Sequence, residues 1–366
     1  MDDAAIERGV ILLASLVATA GGALWLVFGV PRQDAPPRSA TALSPRSAEP
    51  YRGPVGVVKH DPERSAGGLN LVVSRHAVGA VLLDMNGAEL QRWTAPWPDP
   101  RSPVAAWRRA RMLPGGGLVA LCEAVGVLAV DPMSQDLWHR RLLAHGTFEV
   151  APNGGIVVLT RPQRNLEDIS HMQPVADDVL VWLDSAGEEV AKTSLFDAFR
   201  RSSNEAWRDV AAEGGPLLDV AAFHTIGAGF AAPFFEGHVL LAVRRLGLVA
   251  VVDPASGLLT WSVSGPWGHP VDAHATANGG LLVADEVRVV EVDVATLSVR
   301  WEYPAKAENV QRLANGNTLI VESAVGRAVE VTPDGLAVWE YINTHLNPAD
   351  PSQPAWLDVQ RLPGGA

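Results

Sequence analysis

The 366-residue chain holds a single cysteine, Cys122, so an internal disulfide is excluded and the redox compartment is left open. Within the run Leu118-Val119-Ala120-Leu121-Cys122 it reads as a small buried hydrophobe rather than a reactive thiol. Positive charge is scarce as well. The 29 Lys and Arg residues face 41 Asp and Glu, a net charge of −12, and no basic stripe is present to meet phosphates, which excludes nucleic acid as a partner. The ten histidines are scattered, and none is spaced against another His or a Cys as zinc ligands are, so no metal site is expected. The glycine-rich segments interrupt strand-like sequence and do not lead from a strand into a helix, so they do not read as phosphate loops. A Gly-x-Ser-x-Gly nucleophile elbow is missing too, and no cofactor is expected.

What the chain does have is a repeat. Six times a short apolar run ends in an aspartate or a turn, crosses a few small residues and climbs to a tryptophan or its equivalent. The clearest copies are Leu83-Asp84-Met85-Asn86-Gly87 to Trp93, Val130-Asp131-Pro132 to Trp138, Val252-Asp253-Pro254-Ala255-Ser256-Gly257 to Trp261, and Val292-Asp293 to Trp301. Leu183-Asp184-Ser185-Ala186-Gly187 lacks the tryptophan, and Val331-Thr332-Pro333-Asp334-Gly335 reaches Trp339 with its acid displaced along the turn. Each unit reads as a β-hairpin, because Asp, Asn and Gly tolerate the positive φ of a tight turn between strands rich in Val, Leu and Ile. A second turn precedes most of them: Leu113-Pro114-Gly115-Gly116, Ala151-Pro152-Asn153-Gly154, Ala277-Asn278-Gly279-Gly280 and Ala314-Asn315-Gly316-Asn317. Each unit therefore holds about four strands. Self-similar units of roughly 40 to 50 residues with four strands each define a propeller, whose sheets bury both faces only by standing side by side. The expected fold is an all-β, six-bladed β-propeller over residues 55–366, and at 48% hydrophobic and 19% charged residues the chain can fill its core.

Ahead of it, residues 9–30 carry no charged side chain and are long enough to span a bilayer as a helix, so residues 1–30 are expected to form an N-terminal transmembrane anchor. The Pro-rich stretch 31–54 reads as an extended tether. Arg32, Arg38 and Arg46 follow the span, and on the positive-inside rule alone they would place the propeller in the cytoplasm. The hairpin acids Asp184 and Asp253 lie much farther apart than Asp253 and Asp293. Helical spacing of the apolar residues between Ser194 and Val210 places a helical insertion at about 194–215.

Several further segments resemble the bacterial arylsulfotransferase family over nearly everything from residue 70 to 345. They are Ala144-His145-Gly146-Thr147-Phe148-Glu149-Val150, Phe223-His224-Thr225-Ile226, Leu240-Leu241-Ala242-Val243-Arg244, Asp272-Ala273 ahead of Asn278-Gly279, and Gln311-Arg312-Leu313-Ala314-Asn315-Gly316-Asn317-Thr318-Leu319-Ile320 running on to Trp339-Glu340-Tyr341. The resemblance implies a six-bladed propeller whose central funnel moves a sulfuryl group from a phenolic sulfate to a phenol through a covalent histidine, without a metal. It also implies a location outside the cytoplasmic membrane, in the periplasm, against the flanking arginines.

Residue by residue, the match is partial. His145 falls on the first of the family's paired histidines, but Gly146 and Thr147 replace the second histidine and the acid. His224 matches a family histidine while Ile226 stands where an asparagine is found, and Arg244 matches the funnel arginine. The nucleophile position is Val271. Two flanking histidines, His269 and His274, are its candidate substitutes. Side-chain parity in an extended segment favours His269, two residues from Val271, over His274. The sequence thus supports a membrane-anchored sulfotransferase with His269, His145, His224 and Arg244 as catalytic groups and His145, His224, Arg244 and His274 as substrate contacts. Its small-molecule partners would be an aryl sulfate and a phenol. The alternative is an inactive propeller that binds an aromatic or anionic ligand or holds a protein partner. A third reading, from Asp253-x-x-x-Gly257-x-x-x-Trp261, is a relative of the quinone-dependent dehydrogenases and their assembly-scaffold cousins; as an enzyme it calls for about eight blades, more than this length supplies.

Overall fold

The computed structural model describes residues 51–364 apart from 77, 99–105, 168, 170–173, 203–204, 209–214 and 231. The expected anchor and most of the tether lie outside the described residues, and no described helix is long and apolar enough to cross a membrane.

Six antiparallel sheets, five of four strands and one of five, stand around an axis as blades. Blade 2 runs outward through Trp107–Met112, Leu118–Cys122, Gly126–Val130 and Asp136–Arg141. Blade 3 uses Ala144–Val150, Ile156–Thr160, Val179–Leu183 and Glu189–Ser194. Blade 4 uses Val220–Thr225, Val239–Val243, Leu248–Asp253 and Leu258–Val263. Blade 5 uses Asp272–Thr276, Gly280–Ala284, Arg288–Asp293 and Val299–Pro304. Blade 6 uses Asn309–Arg312, Thr318–Glu322, Arg327–Val331 and Ala337–Ile342, with Gly56–His60 added on its outer edge. Blade 1 is composite: Leu69–Ser74, Ala80–Leu83 and Glu89–Trp93 take their innermost strand from the far end of the sequence, Leu357–Leu362. That strand closes the ring.

The repeat signatures have clear structural work. In five blades the hairpin aspartate accepts backbone N–H groups across its own turn: Asp84 from Asn86 and Ala88, Asp131 from Met133 and Gln135, Asp184 from Ala186 and Glu188, Asp253 from Ala255 and Ser256, Asp293 from Ala295 and Thr296. In blade 6 the Thr332 hydroxyl takes the aspartate's place, accepting from Leu336 N–H. The outer-strand tryptophans then bridge to the next blade. Trp138 donates to the Ser185 carbonyl at 3.1 Å, and Trp339 to the Met85 carbonyl at 2.9 Å. Where Trp138 lies over the blade 3 turn, Gly187 is obligatory: a Cβ there would sit 2.6 Å from the indole, and its φ is +77°. Middle strands such as Leu118–Cys122 and Gly126–Val130 are buried along their whole length, because neighbouring blades cover both faces. Outer strands such as Asp136–Arg141 alternate toward solvent.

Within the expected helical insertion a helix spans Leu195–Arg200, capped by Ser194, whose hydroxyl accepts from Asp197 N–H, and the stretch 209–214 lies outside the described residues. Leu195, Phe196, Ala198 and Phe199 are fully buried against residues of blades 3 and 4. The apolar residues of Leu195–Arg200 thus fill a seam.

Candidate functional site

Strand register builds one polar ring. In the innermost strands, Arg111 pairs with Val119, Glu149 with Val157, His224 with Leu240, His274 with Leu282, Gln311 with Leu319 and Gln360 with Leu71. These six residues occupy the same level of blades 2, 3, 4, 5, 6 and 1. All six line one axial chamber of about 910 Å³, which opens at the ends where the innermost strands turn back. Alternation along a strand dictates the pattern, since the residues just before them (Ala110, Phe148, Phe223, Ala273, Val310 and Val359) are buried in the seams between blades.

Within the ring, acids gather the histidines. Asp272 heads the innermost strand of blade 5, two residues before His274 and on the same face. Its Oδ1 accepts from His224 Nε2 of blade 4 at 2.8 Å, and its Oδ2 accepts from His274 Nε2 at 3.2 Å and from the Val310 N–H of blade 6 at 3.0 Å. Glu149 of blade 3 accepts from His224 Nδ1 at 2.9 Å and from Thr225 N–H at 2.8 Å. The two imidazoles lie against each other, centroids 3.7 Å apart. On the other side of the ring, Asp358 of the closing strand binds Arg109 at 3.1 Å, Arg111 at 3.2 Å and Asn309 at 3.1 Å. Asp272 and Asp358 thereby join five blades, and Glu149 ties in the sixth.

The electrostatics follow from this wiring. Burial alone would lower the His224 pKa, but Asp272 and Glu149 raise it to about 9, so it is an imidazolium at neutral pH. His274 moves the other way: burial and the neighbouring His224 charge lower it and outweigh Asp272. Burial opposes ionisation of Asp272, yet His274 and His224 hold its carboxyl well below the usual range. A His224 imidazolium that donates from both ring nitrogens, beside a neutral His274 ring, is the state this geometry favours.

The residues singled out from sequence fall into two groups. His224 and His274 meet in the chamber. His145, Arg244 and His269 do not line it; they belong to a chain of contacts at the opposite ends of the innermost strands. There His145 bonds Asp178 at 3.1 Å, Arg161 bridges Asp178 at 2.8 Å and Asp219 at 3.0 Å, Arg244 binds Asp219 at 2.7 Å, and His269 contacts the Arg244 carbonyl at 3.2 Å. The preference for His269 over His274 is corrected by the strand itself. Val271 packs with the core cluster between blades 5 and 6, so parity with Val271 points away from the chamber while parity with Asp272 points into it. Gly146 also has a reason: a Cβ there would stand 2.7 Å from the Ala221 carbonyl of blade 4, leaving no room for a second histidine. Arg111, Glu149, Asp272, Gln311, Gln360 and Asp358 were missed. The expectation of no metal site rested on sequence spacing, and the fold gathers His224, Asp272 and His274 with one donor atom each, all within 4.8 Å of one another.

These features define a six-bladed propeller with a polar axial chamber. Residues 245–360 match the family model described as outer membrane protein assembly factor BamB. No curated protein is significantly similar to the chain. Among solved structures, a protein of unknown function from Bacteroides caccae is similar at 14% identity, covering 81% of this chain and 100% of its own, with a TM-score of 0.52. A streptogramin B lyase aligns at 13% identity over 85% of this chain and 95% of its own, TM-score 0.49. The likeness to the Bacteroides protein is one of propeller fold.

Proposed function

We propose that the axial chamber passes a sulfuryl group from an aryl sulfate to a phenol acceptor, with His274 as the nitrogen that carries it. The observation that carries this reading is Asp272, which gathers two imidazoles from neighbouring blades inside a chamber large enough for an aromatic substrate. Its other support is the resemblance of the inner-strand and turn segments to arylsulfotransferases. The ring nitrogen of His274 not engaged by Asp272 attacks sulfur, the bond from sulfur to the donor's phenolic oxygen breaks, and the phenolate leaves with the electron pair. The acceptor's phenolic oxygen then attacks sulfur, the S–N bond breaks, and the acceptor's proton balances the phenolate released first. His224 and Arg111 supply positive charge beside the sulfate oxygens. Val271 leaves the family's own nucleophile position empty of chemistry, and His274 lies three residues on.

Full-length protein given p-nitrophenyl sulfate and a phenol should release nitrophenol. His274→Ala should lower turnover at least 100-fold, while His269→Ala should leave it within twofold. Folded protein without turnover, or His274→Ala with wild-type turnover, refutes the reading.

A second reading, a propeller that holds a protein partner, is favoured by the match of residues 245–360 to the assembly-factor model. The motif shared with such propellers builds structure here: Asp253 closes its hairpin and Trp261 packs on the core between blades 4 and 5. A partner retained by wild-type protein and by His274→Ala alike, with no turnover in either, would support that reading.

A further inference from the structure

We propose that His224, Asp272 and His274 form a binding site for a divalent transition-metal ion of the Zn²⁺ or Co²⁺ type, open to the chamber. Two imidazole nitrogens and one carboxylate suit such an ion, and three protein ligands with one open position are the pattern of an accessible site. One donor atom from each residue lies within 4.8 Å of the others. Ligands about 2.0–2.2 Å from a tetrahedral ion lie roughly 3.3–3.5 Å from one another, and here Nε2 of His224 and of His274 stand 2.8 and 3.2 Å from the two oxygens of Asp272. Both nitrogens aim at one carboxylate, each toward a different oxygen, so the three donor groups already face one another.

The surrounding groups fit as well. Glu149 holds His224 Nδ1 at 2.9 Å, which fixes the ring so that Nε2 faces the site, as carboxylates behind metal-bound histidines do. Val310 N–H and Ala273 N–H hold the Asp272 oxygens at 3.0 Å. Asp272 is only 3% exposed, whereas the side chains of His224 and His274 are 24% and 23% exposed. The ligands are therefore rigid from behind and reachable from the front. Metal binding does not depend on sulfuryl transfer, and a metal ion and an aryl sulfate would compete for His274, because a metal-bound imidazole is held out of the nucleophilic role.

Chelator-treated full-length protein should bind one Co²⁺ per chain with a visible absorption band that Zn²⁺ abolishes. Asp272→Asn and His274→Gln should each weaken binding at least 10-fold. Glu149→Gln should weaken it about 10- to 100-fold with stoichiometry unchanged, and His269→Gln should have no effect. Circular dichroism checks that each variant is folded, and His274→Gln, on the chamber wall, covers the case in which Asp272→Asn is not. No Co²⁺ band at 100-fold excess over folded protein, or binding that survives His274→Gln, overturns the site. If turnover of p-nitrophenyl sulfate exists, Zn²⁺ should inhibit it. Absence of turnover leaves the metal titration to decide on its own.

Discussion

Closure of the ring hangs on a buried ion pair, and Arg361→Met tests it. Glu330, in the third strand of blade 6, is 0% exposed, and Arg361 of the closing strand is 3% exposed. The carboxylate accepts from Arg361 Nη1 at 2.9 Å, from Asn317 Nδ2 at 2.7 Å and from Ala66 N–H at 2.6 Å. Arg361 also reaches the Ala66 carbonyl at 2.6 Å and Asn70 at 2.7 Å, and its guanidinium lies 4.9 Å from the Trp339 ring centre. Unit charges at about 4 Å interact by about 4 kcal/mol at an effective dielectric near 20. Removing one partner of such a pair costs about 3–5 kcal/mol, because the other charge stays buried without compensation. Arg361→Met should lower the urea unfolding free energy by that amount. Adding Glu330→Gln should return most of it, since the carboxamide keeps its Ala66 donor and carries no charge. A loss below about 1 kcal/mol in the single variant, or a double variant no better than the single one, would refute the reasoning.

Gly187→Ala should destabilise by about 2 kcal/mol or more, since a methyl group meets Trp138 and the residue must hold a positive φ; an unchanged urea midpoint would remove the indole contact from the account. Burial opposes ionisation of Asp358, but Arg109 and Arg111, with Asn309 behind them, hold its carboxyl below the ordinary range. A carboxylate depressed in the folded state stabilises fully above its unfolded pKa, about 3.9, and loses that contribution as pH falls through the folded value. Urea unfolding between pH 6 and 3 should therefore show stability falling at the acid end, with a shallower fall in Asp358→Asn; parallel curves would exclude this group. Cys122 is fully buried and its thiol is pushed up to about 12 by that burial, so native protein should resist a thiol-specific chromogenic reagent that reacts in urea. Rapid labelling without denaturant would contradict the packing of blade 2.

The blade plan was legible because its signals are local. An aspartate that accepts two N–H groups across its own turn, and a tryptophan a few residues on, are spaced within one hairpin and survive reading as a string. The chamber was less legible because its members are equivalent only through hydrogen-bond register. A signal did exist. Arg111, Glu149, His274 and Gln311 each stand five positions before the turn glycine, as Gly116, Gly154, Gly279 and Gly316 show by subtraction. A polar-apolar-polar triplet precedes that turn in each case: Arg109-Ala110-Arg111, Thr147-Phe148-Glu149, Asp272-Ala273-His274 and Asn309-Val310-Gln311. Blade 4 departs in its triplet, Ala222-Phe223-His224, which opens on alanine instead of a polar residue, although Gly229 keeps the same offset from His224 within a longer hairpin loop. Anchoring the comparison at Val271 chose the seam face, and it drew attention to His269 instead of His274.

The shared first blade has a consequence for synthesis. Asn70 and Arg361 join hands across 291 positions of chain, so a ribosome working at about 5–20 residues per second needs roughly 15–60 s between making one and making the other. Throughout that interval the nascent protein exposes the bare edge of Leu69–Ser74 beside nearly finished neighbours, and an unpaired edge is an invitation to foreign strands. Escort by chaperones should matter most at this stage, and a stall late in translation should be more damaging than one in the middle.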